Sequence, residues 1–192
     1  MRIIAGRHRG RVLRAPEGRA VRPTGDRARE ALFDILAHGR FADRPVFEGA
    51  RVLDAFAGTG AFGLEALSRG AAQASFIEKD RDVLAVLRGN IAALGEDKNA
   101  TVLATDALRP PPAAAPVTLA FLDPPYREEL AAPALAALAA ARWFAPDALV
   151  IVEVAARQKL VPPPGFTLLE ERRYGAARLV FLRYDSGRAP ST

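Results

Sequence analysis

Apolar residues along this chain fall in short blocks whose period changes in a regular order. The near-continuous runs 51–55, 74–78, 101–104, 117–122 and 148–154 read as strands buried on both faces. Between them, residues 61–69, residues 82–94 and a segment within 128–143 carry apolar positions at helical spacing. Such alternation predicts an α/β fold, a mostly parallel sheet with helices on both faces. Residues 166–174 and 177–184 read as two further β segments turning at Gly175. At the other end, 2–6 and 11–14 flank the basic turn Arg7-His8-Arg9-Gly10, which predicts a small hairpin. A loop is expected from Pro16 to Pro23. Asp26 then supplies an N-terminal acid for a helix carrying Ala28, Ala31, Leu32, Ile35 and Leu36 on one face. The polar tail 185–192 is expected to be disordered.

Composition narrows the class. The 192 residues suit one domain with a sizeable core. No apolar run approaches the roughly 18 residues of a membrane span, and the N-terminus lacks the apolar core of a secretory signal. Without cysteine there is no disulfide framework, thiolate zinc site or thiol nucleophile, and no metal is expected. Cytoplasmic residence is the expected setting. Residues 1–40 hold ten arginines against four acids, a surplus of +6 within a total of +5, so the remainder is close to neutral. A GC-rich coding bias explains 24 arginines against 3 lysines, but not their collection at one end. Nucleic-acid phosphate is the partner that this charge predicts.

Two strand ends carry the candidate chemistry. The first reads Asp54-Ala55-Phe56-Ala57-Gly58-Thr59-Gly60. Ligands of parallel α/β sheets bind at the carboxyl ends of the strands, and glycines let backbone approach them closely. Gly58, Gly60 and Gly63 also satisfy the dinucleotide pattern, so a nicotinamide cofactor must be weighed. Glu78, twenty positions after Gly58, can accept ribose hydroxyls in either case. Asp54 separates the two: at the mouth of the site it would repel a diphosphate and attract a methionine ammonium. Asp106, at the third strand end, can accept an adenine amino group or cap a helix.

The second strand end is Asp123-Pro124-Pro125-Tyr126. An amine on an aromatic ring is a poor nucleophile, because its lone pair is delocalised. Acceptors on its two hydrogens favour the move toward tetrahedral geometry. Asp123 supplies one acceptor and the Pro124 carbonyl another, with successive prolines restricting the backbone. Tyr126 offers a face for base stacking, worth roughly 1–3 kcal/mol. Together the two signatures describe methyl transfer from S-adenosylmethionine to a base nitrogen.

Val52–Gly60 with Phe121–Tyr126 resembles the class I S-adenosylmethionine-dependent amino-methyltransferases. More narrowly, Arg2-Ile3-Ile4-Ala5-Gly6, Gly10-Arg11, Arg22-Pro23-Thr24 and Asp26-Arg27-Ala28-Arg29-Glu30-Ala31-Leu32-Phe33 resemble the bacterial 16S ribosomal RNA guanine-N2 methyltransferase family. Gly25 departs from the family's usual second threonine. The resemblance implies a Rossmann-like, seven-stranded, mostly parallel sheet with one antiparallel strand and an N-terminal hairpin extension that meets RNA. It implies an RNA-contacting part over 1–45 and a methyltransferase core over 46–184. The implied catalytic residues are Asp123, Pro124 and Tyr126. Cofactor contacts fall to Asp54, Phe56, Ala57, Gly58, Gly60, Glu78, Asp106, Ala107 and Asp123, and RNA contacts to Arg7, Arg9, Arg11, Arg14, Arg22 and Thr24. S-adenosylmethionine is the implied donor and S-adenosylhomocysteine the product. The partner would be 16S rRNA in the small subunit or its assembly intermediate, met by a monomer.

Four other readings stay open. DNA amino-methyltransferases share the clamp but usually add a target-recognition region. Protein glutamine methyltransferases usually carry Asn where Asp123 stands. A nicotinamide oxidoreductase would need a proton donor, and neither His8 nor His38 is well placed. A non-catalytic ribosome-assembly factor would not need the clamp.

Overall fold

Phe33, Phe62 and Phe121 stack in series, with ring centroids 5.3 and 4.6 Å apart, and tie three segments of the chain into one layer. The structure, a computed structural model, describes residues 1–16, 23–38, 41, 45–126 and 129–185, with backbone only for 23–28. Phe33 belongs to α1 (Pro23–Ala37), Phe62 to α2 (Ala61–Ser68) and Phe121 to β4 (Val117–Leu122). Around them lie β1 (Arg51–Ala55), β2 (Gln73–Glu78), α3 (Arg81–Leu94) and β3 (Ala100–Ala104). After β4 come α4 (Ala131–Ala140), β5 (Phe144–Ala155), β6 (Phe166–Tyr174) and β7 (Ala177–Tyr184).

The seven strands form one sheet in the order β3-β2-β1-β4-β5-β7-β6. β7 runs antiparallel to both β5 and β6, while the β1–β2, β2–β3, β1–β4 and β4–β5 pairs are parallel. The expected single antiparallel strand is therefore β7. From β1 the chain steps outward through β2 and β3, then returns to lay β4 on the other side of β1. That reversal makes the carboxyl ends of β1 and β4 the switch point at which sheets of this kind take their ligands.

Apolar alternation gives each face its own core. Leu64, Leu67, Phe76, Leu87, Phe121 and Ile151 pack beneath α1, α2 and α3. Leu53, Ile77, Leu122, Leu135, Trp143 and Val152 pack on the α4 side. Ile3 and Leu13, 2% and 3% exposed, join the first core, so the N-terminal segment shares it with the sheet. No helix among the described residues is long and apolar enough to cross a membrane.

Three local expectations change. The N-terminal hairpin pairs through one bridge, Arg2 with Val12, rather than two full strands. Beyond Ile3 the ladder is diverted: buried Glu65 accepts the Ile4 and Ala5 N–H groups at 2.6 and 2.9 Å. β5 begins at Phe144, earlier than its apolar run, because Phe144 pairs with Val117 across a register shift. α1 begins at Pro23, which suits a first helical position because it has no N–H to leave unpaired. The expected loop at 17–22 and the tail at 186–192 lie outside the described residues.

Candidate active site

β1 ends at Ala55, and the next turns carry positive φ at Phe56 (59°), Gly58 (55°) and Gly60 (81°). A Cβ on Gly60 would lie 2.4 Å from Leu87 Cδ1, so glycine is required where α2 crowds α3. Four backbone donors of this region are committed. Ala57 N–H donates to Ile77 O at 3.0 Å and Gly60 N–H to Ala57 O at 2.8 Å. Gly58 N–H donates to Glu78 Oε2 and Gly63 N–H to Asp54 Oδ2, both at 2.9 Å. A loop whose N–H donors are already taken, one of them by the Glu78 carboxylate, is a poor cradle for a diphosphate, which disfavours the nicotinamide reading.

Asp54 is not at the mouth of the site, as its place in the motif suggests. It is 3% exposed and lies under the loop, pinning it to α2. Burial pushes its carboxyl up to about 8, against the Gly63 N–H, with the Glu78 charge adding to the rise. Glu78 is half-buried, and its Oε1 accepts the Lys79 and Asp80 N–H groups at 2.8 and 2.9 Å. With Gly58 on Oε2, three of the roughly four acceptor positions of a carboxylate are filled, leaving one for a ribose hydroxyl.

Asp106 follows β3. Its Oδ1 accepts the Leu108 N–H at 3.0 Å, and Lys79 Nζ sits 3.2 Å from Oδ2. First the Leu108 N–H and then the Lys79 ammonium hold its carboxyl below the usual range. It closes a turn, not a helix. Ala107 is 2% exposed and packs in the second core.

The clamp lies beside the loop. Ala55 pairs with Leu122, and Asp123 N–H donates to Ala55 O at 3.4 Å. The two signatures therefore leave neighbouring parallel strands at the same end, as their proposed cooperation requires. Asp123 and Pro125 are exposed, Pro124 is buried, and Tyr126 is half-buried. The Tyr126 hydroxyl donates to Glu153 Oε1 on β5. Burial raises the Glu153 carboxyl, with the Tyr126 hydroxyl partly offsetting it.

The basic arm is fastened to the same end. Asn90 Nδ2 donates to Thr59 O at 3.0 Å and to Arg14 O at 3.1 Å, while its Oδ1 accepts the Arg14 N–H at 2.8 Å. One buried amide thus joins the arm to the glycine loop. Arg7 and His8 reach buried Glu96 at 2.6 and 2.5 Å. Burial alone would raise Glu96, but donors from Asn99, His8 and Arg7 hold it below the usual range. Arg11 Nη2 donates to Ala93 O at 2.7 Å. Arg9 and Arg14 are exposed. Arg22 and the Thr24 side chain lie outside the described residues.

Sequence reasoning missed Asn90, Glu65, Lys79 and Glu153. Only Glu153 had a usable signal, a lone acid within the apolar run Leu149–Val154.

The profile of the family described as conserved hypothetical protein 95 matches residues 1–183. Ribosomal RNA small subunit methyltransferase D of Haemophilus influenzae is 37% identical over 179 residues, covering 91% of this chain and 89% of that protein. The Escherichia coli K12 protein of the same name is 44% identical over 154 residues, covering 80% and 74%. The chain belongs to this family. The solved structure of Escherichia coli yhhF superposes with a TM-score of 0.82 at 38% identity, covering 97% of this chain and 98% of that one. The common fold is that of the class I S-adenosylmethionine-dependent methyltransferases.

Proposed function

We propose that this chain transfers a methyl group from S-adenosylmethionine to the exocyclic N2 of a guanine in 16S rRNA of the small ribosomal subunit. The observation that carries this reading is the pairing of Ala55 with Leu122, which sets the glycine loop beside the amine clamp. The names of the relatives support ribosomal RNA as the substrate class.

The residues present fit the donor. Glu78 keeps an acceptor position for a ribose hydroxyl, and Gly58 leaves open space where a side chain would stand. Asp106, its carboxylate kept ionised by the Leu108 N–H and Lys79, accepts the adenine amino group. When bound, the cofactor supplies an electrophilic methyl on a sulfonium.

Asp123 and the Pro124 carbonyl accept the two amine hydrogens and draw the nitrogen toward tetrahedral geometry. Tyr126 stacks on the base, which must leave any helix it occupies. As the new N–C bond forms, the S–C bond breaks and the sulfur keeps that electron pair. The Asp123 carboxylate stabilises the positive charge arriving on nitrogen. The surplus proton then passes to solvent, which exposed Asp123 meets directly. Arg9, Arg11 and Arg14 supply charge for RNA phosphates beside the site.

Labelled methyl donor incubated with small-subunit particles, followed by mass mapping, tests this reading. N2-methylguanine in 16S rRNA is the expected product. Transfer to DNA alone would replace the substrate, and tight RNA binding without transfer to any nucleic acid would favour an assembly factor.

A further inference from the structure

Glu153 is a half-buried acid that the mechanism above does not use. It interrupts the apolar run of β5 and pairs in the backbone with Leu179 of β7. The β4–β5 register joins Phe121 to Ile151 and Leu122 to Val152. Glu153 is one step further, level with Asp123. Side chains alternate along a strand. Ile151 packs in the core under α1 and α2 and Val152 in the opposite one, so Glu153 returns to the face of Asp54 and Phe121. The Tyr126 hydroxyl donates to its Oε1, which holds the carboxyl beside the ring assigned to stacking. Oε2 remains as a further acceptor.

Base chemistry gives a second acceptor in this place a distinct use. The exocyclic amine of guanine is flanked by two ring nitrogens: N1, which carries a hydrogen, and N3, which carries a lone pair. Beside the amines of adenine and cytosine the one flanking ring nitrogen carries a lone pair. An acceptor on the Watson–Crick side of the clamp matches guanine N1–H and repels the other two. Acceptance is available from the ionised carboxylate and from the carbonyl oxygen of the neutral acid.

We infer that Glu153 is a specificity-determining residue that accepts the ring N1–H of the target guanine, with the Tyr126 hydroxyl fixing its orientation. The inference rests on the guanine reading above and names the group that enforces it.

The test uses 2-aminopurine, which keeps the exocyclic amine but lacks O6 and carries a lone pair in place of N1–H, so the readout is the change in preference between the wild type and Glu153→Gln. Once the modified position is mapped, small-subunit particles are reconstituted with guanine or 2-aminopurine there. The wild-type protein is expected to favour guanine strongly in kcat/KM. Glu153→Gln can still accept the Tyr126 hydroxyl but also offers an amide N–H to a ring lone pair. It should shrink the preference about 10–100-fold, the discrimination typical of one base-edge hydrogen-bonded pair, with cofactor affinity by calorimetry unchanged. Tyr126→Phe keeps the ring and should shrink the preference less, together with its effect on rate. Equal losses on both bases, or an unmoved preference in Glu153→Gln, overturn the inference while the guanine reading stands. A wild-type product other than N2-methylguanine overturns both.

Discussion

The Asp54 carboxyl accepts the backbone N–H of Gly63 at 2.9 Å, beneath the glycine loop. With its carboxyl pushed up to about 8 from 3.8, the native state keeps a proton that the unfolded chain has released over that interval. Stability from this group therefore falls as pH rises from about 4 to about 8, and flattens above. Glu153, also raised, contributes in the same direction, while lowered Glu96 contributes in the opposite one. Urea denaturation at several pH values should show a smaller decline in Asp54→Asn than in the wild type. Identical pH profiles would mean that the buried carboxyl does not govern the trend.

Asp123 stands exposed at the end of β4, so its replacement should leave the core intact. Asp123→Ala is expected to lower kcat on the order of 10²–10³-fold, the usual loss when a group stabilising transition-state charge is removed. Cofactor affinity should stay near wild type. Full turnover by this variant, measured with labelled methyl donor, would remove the clamp from the mechanism.

Arg7 and Arg9 separate anchoring from the proposed RNA contact. Arg7 is committed to Glu96, so Arg7→Ala leaves a buried carboxylate short of donors. A stability loss on the order of 1–3 kcal/mol is expected in thermal denaturation. Exposed Arg9 has no such duty, and Arg9→Ala should leave stability unchanged. It should lower the slope of log affinity against log salt by about 1, the effect of one lost phosphate contact. An unchanged slope would place the RNA on another surface.

Gly6 has φ +80°, and a Cβ there would lie 1.8 Å from the Ser68 carbonyl oxygen. Gly6→Ala must therefore lift the arm from α2, disturbing the Arg7 N–H bond to that same oxygen at 2.9 Å. Limited proteolysis should then cut the first fourteen residues, which include Arg14, the partner of Asn90. Resistance equal to wild type would show that the arm is held without this contact.

The glycine loop, the Asp123–Tyr126 strand end and the alternation of strands with helices were all legible in the chain. These features follow from forces acting over a few residues: apolar period, the φ freedom of Gly60, and the stiffness of Pro124-Pro125. The hairpin was only partly legible, because Glu65 takes the Ile4 and Ala5 N–H groups from a position 61 and 60 residues away. No local pattern announces such a competitor.

The sequence by itself determined which segments could bind a nucleoside and which could hold an amine. Tertiary structure alone decided that they meet, because strand order placed β4 against β1 after the detour through β2 and β3. It also turned Asp54 from a residue at the mouth into a buried anchor, and brought Tyr126 to Glu153 across 27 positions. Sheet register and burial are properties of the whole packed core, which settles contacts that neighbours along the chain cannot specify.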